Sequence, residues 1–371
     1  MKTAMLKPTF HKLRQDATIR LETSELRAVD FFCGGGGMTY GMKQASINVI
    51  AGLDSDKNCK ETYVKNNPDA QFILADITQA EITILSDIGI KTNDDNLVFI
   101  GCSPCQYWSI INTDRRKSEK DVNLLACFQK FVKHYNPGYV VIENVPGIKR
   151  NGDKSKLHTF INFLKKHGYG FDESIINANL YGVPQSRKRF VLIASRVRKH
   201  IKLPAPDDSG PVVRNFIGHK NGFKKITAGH KDKTDFKHSC AGLSEVMLKR
   251  LALTPKNGGT RKSWSVRENL QINAYKGRDG CFRDVYGRMF WGKPAPTITT
   301  RFTSISNGRF GHPDEDRAIS LREGATLQTF PRSYVFRSNS MTTMAKLIGN
   351  AVPPELARRI GLALQDKSDR R

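Results

Sequence analysis

Two cysteines stand two residues apart in "GCSPCQYWS" (Gly101 to Ser109), directly after the apolar run Leu97 to Ile100. Cys102-Ser-Pro-Cys105 can be a redox pair, half of a zinc site, or a nucleophile beside an incidental neighbour. Zinc needs two further ligands, usually a second Cys or His pair, and Cys33, Cys59, Cys127, Cys240 and Cys281 form no such pair. A thioredoxin-like pair sits near the first βαβ unit of a small domain, whereas this one follows an apparent fourth strand. As a nucleophile, Cys105 would lie on a loop past the carboxyl end of a strand, leading into a helix whose amino end favours thiolate. "VVIENVPG" ends another apolar run with Glu143 and Asn144. A partly buried carboxyl there, beside the cysteine strand, can donate a proton. No metal site is expected.

A second group of residues reads as a ligand cradle. "VDFFCGGGGMTYGM" (Val29 to Met42) is a strand, four glycines and a helix start. Glycines at the first strand-to-helix turn let backbone amides approach a ligand closely, where doubly wound sheets bind cofactors. "GLDSD" puts Asp54 at the end of the second strand, where a carboxylate can take both ribose hydroxyls. "LAD" puts Asp76 after the third, able to accept from an exocyclic amine. The two acids point to a nucleoside-bearing cofactor and do not separate NAD from S-adenosylmethionine.

These residues need a scaffold that brings strand ends together. "LRAVDFF", "NVIAGLD", "QFILAD", "NLVFIG", "YVVIENV" and "RFVLIAS" are short apolar or β-branched runs, as in buried parallel strands. Between them, Leu157, Phe160, Ile161 and Leu164 form one helical stripe, and Leu124, Leu125, Phe128, Phe131, Val132 and Tyr135 another. The alternation predicts a doubly wound α/β sheet. After about Ser195 the periodicity weakens, and residues 200–290 are rich in Lys, Arg, Gly, Asn and His, as in a smaller loop-rich domain. A helix returns over Pro354 to Leu364.

Charge narrows the choice of partner. Sixty Lys and Arg against 35 Asp and Glu leave +25 on 371 residues. Such an excess repels itself unless a polyanion relieves it. Mean hydropathy is −0.46, and no run approaches the roughly 18 apolar residues of a membrane helix. Residues 1–26 read as a charged arm without a secretory leader. Seven irregularly spaced cysteines then suggest reduced thiols in the cytoplasm.

Taken in order, the motifs resemble the DNA cytosine-5 methyltransferase family. "DFFCGGGGMTYGM" is similar to its cofactor loop, "SPCQYWS" to its Pro-Cys-Gln nucleophile motif and "ENVPG" to its Glu-Asn-Val motif. "QSRKR" (Gln185 to Arg189) resembles Gln-x-Arg-x-Arg, "LREGATLQTFP" the motif closing the small domain, and "GNAVPP" the final motif. The resemblance spans about residues 27–365. Ser103, Tyr107 and Gly324 depart from the residues common at those places, and none of the three changes removes a reactive group.

The resemblance implies a Rossmann-like S-adenosylmethionine-dependent methyltransferase sheet spanning 27–198. It further implies a target-recognition domain over 199–334 and a return to the catalytic domain over 335–371. Cys105 would add to carbon 6 of a flipped cytosine, Glu143 would serve ring nitrogen 3, and Arg189, supported by Arg187, would hold the base carbonyl. Phe31, Asp54, Asp76 and Ile77 would contact the adenosine of S-adenosyl-L-methionine, with Gly35, Asn350 and Val352 flanking its methionine part. Gln106, Ser109 and Arg115, on a closing loop, and Thr297, as a backbone clamp, would touch DNA. The implied partner is double-stranded DNA bound by a monomer near the nucleoid, with room for an associated restriction endonuclease and no membrane. RNA methylation is the enzymatic alternative, although the Cys-Phe-Thr signature of tRNA-modifying relatives is absent. A silent DNA-binding relative is the other.

Overall fold

The computed structural model describes residues 26–104, 124–150, 156–276 and 281–366. Seven strands make one sheet: β1 (Arg27–Phe31), β2 (Asn48–Asp54), β3 (Gln71–Leu74), β4 (Leu97–Gly101), β5 (Tyr139–Asn144), β6 (Gly170–Asn177) and β7 (Lys188–Ser195), in the order β3-β2-β1-β4-β5-β7-β6. The first five are parallel. β7 runs antiparallel to both β5 and β6. The start of β7 therefore lies beside the carboxyl end of β5, with Asn144 opposite Phe190.

Side-chain alternation along each strand builds two apolar layers. Val29, Phe31, Phe99, Val140, Ile142 and Leu192 face one layer, closed by α3 (Leu124–Tyr135) and, after α4 (Gly147–Arg150), by α5 (Leu157–Lys166). Ala28, Val98, Ile100, Val141 and Ile193 face the other, closed by α1 (Gly37–Gln44) and α9 (Pro354–Gln365). Pro354 opens α9 at a position where its missing N–H costs nothing. α1 and α9 touch so closely that a Cβ on Gly41 would lie 2.3 Å from the carbonyl oxygen of Pro354. That contact sets the C-terminal helix against α1 on this face of the sheet.

Strand β6 has no counterpart among the apolar runs of the sequence. Its residues GFDESIIN are mostly half-buried or exposed, so they lack the apolar run that marks the other strands. α2 (Lys60–Asn66) links β2 to β3. Beyond β7, regular structure is sparse: α6 (Glu245–Leu253), α7 (Leu321–Leu327) and α8 (Met341–Asn350) stand among short turns. A third core gathers Val213, Met289, Ile298, Phe302, Phe310 and Phe330 with Leu347 and Ile348 of α8. Trp264, Leu270, Tyr286 and Ile305 form a fourth.

Helix α7 is buried along its whole length. Ser320 caps it, accepting from the Glu323 amide, while Glu323 reaches back to the Ser320 amide at 2.7 Å and pairs with buried Arg317. Gly324 presses on the Phe302 ring, which would lie 2.2 Å from a Cβ built there. This explains glycine at a position where the resemblance favours cysteine. Gly324→Cys should destabilise the fold by about 1–3 kcal/mol through overpacking, read as a lower urea midpoint. An unchanged midpoint would mean that Phe302 can move aside.

Candidate active site

The carboxyl ends of β1, β2, β4 and β5 and the start of β7 converge on one edge of the sheet. Glu143 is the penultimate residue of β5 and is 6% exposed. Its Oε1 lies 2.9 Å from Nε of Arg189, the second residue of β7. The antiparallel pairing brings these two together across 46 residues of chain, and both side chains are largely shielded from water. Asn144 is fully buried and donates to the Ser103 carbonyl at 3.2 Å and to its hydroxyl at 3.1 Å. Its own Oδ1 accepts from the Val145 amide. The end of β5 thus holds the chain leaving β4 two residues before Cys105. Cys105 itself, with Gln106, Ser109 and Arg115, lies outside the described residues.

Arg187 points elsewhere. It is 2% exposed and donates to the carbonyls of Ile298, Gly349 and Ala351 at 3.0–3.2 Å. Its guanidinium ties the segment around Thr297 and the α8–α9 turn to β7. Its position is that of a bracket behind Arg189. Gln185, also fully buried, accepts from the Ile298 amide at 3.0 Å and donates to the Leu327 carbonyl at 3.1 Å. Gln328 continues this bracket to the Ile348 carbonyl at 2.6 Å. The Thr297 hydroxyl donates to the Ser186 carbonyl at 2.8 Å.

At the glycine turn, Asp54 closes β2 and accepts from the Gly34 amide at 2.8 Å and the Asp56 amide at 2.8 Å. Burial raises its pKa, and these amide bonds partly offset the rise. Asp76 is exposed and caps its own turn, accepting from the amide and hydroxyl of Thr78. Ile77 is buried beside it. Asn350 is exposed at the end of α8, and Val352 is buried in the turn that follows.

Phe31 requires a correction. It is wholly buried, edge-on to Phe99, Phe128 and Phe131 at 5.1–5.3 Å, and offers no surface to a ligand. Strand alternation already places it on the face of Val29. Its neighbour Phe32 is half-buried just past β1, with φ at 62°, and is the better candidate for a ligand contact. Neither Phe32 nor the tethers Asn144 and Gln185 were singled out from sequence as site residues. For Phe32, strand period was the available signal.

Beneath the turn, Asp30 is completely buried. The Thr39 hydroxyl donates to its Oδ2 at 2.7 Å, while Oδ1 has no hydrogen-bond partner among the described residues. Burial pushes its carboxyl up to about 7 against the opposing pull of Thr39, and nearby Asp54 adds to the rise.

The model of the family described as C-5 cytosine-specific DNA methylase matches residues 26–366. A type II methylase of Herpetosiphon aurantiacus, M.HgiDII, is 36% identical over 343 residues, covering 91% of this chain and 94% of the relative. The type II methyltransferase M1.BsuMI of Bacillus subtilis (strain 168) is 28% identical, covering 95% of this chain and 83% of its own. Among solved structures, one described as a DNA modification methyltransferase encoded within an E. coli prophage superposes with a TM-score of 0.69 at 19% identity. It covers 92% of this chain and 99% of the prophage protein, a likeness of fold.

Asp30 generates a prediction with a definite sign. Its folded pKa is raised, so the native state holds a proton that the unfolded chain releases near the ordinary carboxylate value. Asp30 therefore costs stability as pH rises from about 4 to about 7, and the loss is complete above that range. Asp30→Asn removes this dependence. Its stability relative to wild type should grow by a few kcal/mol across that window, read from chemical denaturation at pH 4, 6 and 8. A difference that stays flat with pH would contradict the assignment.

Proposed function

The chain belongs to the C-5 cytosine-specific DNA methylase family and is a sequence-specific DNA (cytosine-5)-methyltransferase; we propose that Cys105, Glu143 and Arg189 carry its chemistry, with S-adenosyl-L-methionine as methyl donor. The observation that carries this assignment is the Glu143–Arg189 pair at the tip of β5, next to the Asn144 tether on Ser103.

Carbon 5 of cytosine is a weak nucleophile, and these residues address that weakness together. The Cys105 thiolate forms a bond to carbon 6, and the ring electrons shift toward carbon 5. Glu143 supplies a proton or hydrogen bond at ring nitrogen 3, which drains the developing charge. Arg189 forms an ion pair with one carboxylate oxygen of Glu143, its Nη1 donates to the Lys188 carbonyl at 2.8 Å, and Nη2 would reach the base carbonyl. With the donor bound, carbon 5 would take the methyl group as its bond to the donor sulfur breaks and S-adenosyl-L-homocysteine leaves. The carbon 5 proton would then pass to a base, and the bond to Cys105 would break to return the thiolate and the aromatic ring. The target atoms are hidden in a duplex, so the cytosine must first swing out, at a cost of a few kcal/mol.

The residues of the glycine turn suit the donor. S-adenosyl-L-methionine supplies an electrophilic methyl group on a positively charged sulfur. The Gly34–Gly35 backbone and the Asp54 carboxylate, already aligned by the 2.8 Å bond between them, would hold its nucleoside. Ile77, Asp76 and Phe32 would flank the adenine, and Asn350 and Val352 the methionine part.

Double-stranded DNA is the proposed partner, bound by a monomer whose lysines and arginines in residues 199–334 position phosphates. Binding should fall steeply with salt as counterions return to the DNA. Thr297, Gln106, Ser109 and Arg115 are proposed DNA contacts. The type II names of the relatives suggest a companion restriction endonuclease. Among the described residues no helix is long and apolar enough to cross a membrane, and a cytoplasmic location at the nucleoid is proposed.

Bisulfite sequencing tests activity and specificity together. Unmethylated genomic DNA incubated with the protein and S-adenosyl-L-methionine should show protected cytosines within one short shared sequence. No protection, where a control methyltransferase protects its own site, would overturn the DNA reading.

A further inference from the structure

Tyr334 is one of the largest fully buried side chains of the protein. It lies 299 residues from the glycine turn, yet its hydroxyl donates to the Gly35 carbonyl at 2.5 Å. Inside the turn the Gly36 amide donates to the Cys33 carbonyl at 2.9 Å, and the Gly34 amide donates to Asp54 at 2.8 Å. The glycines have no side chains to pack, so the Tyr334 hydroxyl adds at Gly35 an anchor from a distant part of the chain.

The segment carrying Tyr334 is itself anchored at several points. Asn66 of α2 bonds both backbone groups of Val335, accepting from its amide at 2.9 Å and donating to its carbonyl at 2.7 Å. Thr62, one turn earlier on α2, accepts from the Arg337 amide at 2.9 Å and donates to its carbonyl at 3.3 Å. Two side chains of one helix thus treat residues 335–337 much as a neighbouring strand would. On the opposite side, Arg322 of α7 donates to the Tyr334 carbonyl at 2.8 Å and also holds the carbonyls of Asp235 and Phe236. The Tyr334 ring packs among Tyr40, Phe330 and Phe336 at 4.6–5.4 Å. Three parts of the chain meet along residues 334–337: the glycine turn at Tyr334, α2 at Val335 and Arg337, and, through Arg322, the 235–236 loop of the loop-rich region.

We propose that Tyr334 is a positioning residue for the cofactor: through its hydrogen bond to the Gly35 carbonyl it sets the glycine turn in its ligand-binding shape, and the strap over residues 334–337 links that turn to the loop-rich region. This rests on the reading of the turn as the S-adenosyl-L-methionine site. Tyr334 touches no reacting atom and acts on affinity through the turn.

Calorimetric titration of S-adenosyl-L-homocysteine, the demethylated product, tests this without requiring turnover. Tyr334→Phe keeps the ring and removes only the hydroxyl. It should weaken binding about fivefold, the factor one ordinary hydrogen bond supplies. Asn66→Ala frees the strap at Val335 and leaves the hydroxyl in place, and it should weaken binding in the same direction by a smaller factor. Should Tyr334→Phe fail to fold, Asn66→Ala decides. A purely structural role predicts lower melting temperatures with unchanged dissociation constants, and that result would overturn the inference. Wild-type protein that binds no S-adenosyl-L-homocysteine would overturn the cofactor reading itself, a distinct outcome visible before any variant is made.

Discussion

One antiparallel strand organises the site. Five parallel strands place their carboxyl ends on a single edge of the sheet, and a sixth parallel neighbour beside β5 would add another carboxyl end there. β7 instead enters reversed, so its first residues arrive where β5 finishes. Arg189 reaches Glu143 for this reason alone. The same reversal carries Gln185 and Arg187, just ahead of β7, to the seam between the sheet and the segment around Ile298. Without it, the Glu143 and Arg189 motifs would stand at opposite edges of one sheet.

The seam is held by buried polar side chains spent on backbone carbonyls and amides. Gln185, Arg187 and Gln328 between them reach Leu327, Ile298, Ile348, Gly349 and Ala351. Each such group would be costly if left unpaired. The cost constrains the arrangement to one geometry, because a shift of either wall breaks several bonds together. Asn144 does the same for the chain leading to Cys105. The reactive groups are few, and most of the polar residues around them serve to hold backbone in place.

Much of the catalytic half was legible in sequence because its central strands, β1, β4, β5 and β7, are buried on both faces. Continuous apolar runs marked β1 to β5 and β7, and periodic stripes marked α3, α5 and α9. β6, at the sheet edge, alternates too weakly to stand out. Phe31 and Phe32 were separable in principle by strand period, yet a motif read as a string treats neighbours alike. The loop-rich region was legible only as a change of texture. Its cores gather residues far apart in sequence, such as Val213 with Ile348, and no local pattern announces such a pairing. The tethers were hidden for a related reason: whether Gln185 meets a base or a backbone amide depends on what folds against it.

The most direct test of this account is covalent trapping on a duplex whose target cytosine carries fluorine at carbon 5. With S-adenosyl-L-methionine present, methyl transfer would proceed, but no proton remains at carbon 5 to leave, so the bond to Cys105 could not break. Wild-type protein should form a denaturation-resistant adduct with this DNA, and Cys105→Ala should form none. Glu143→Gln should form it far more slowly, since the carboxyl that drains charge from the ring is gone. Equal adduct formation by Cys105→Ala, or none by wild-type protein on DNA that it binds, would contradict the mechanism.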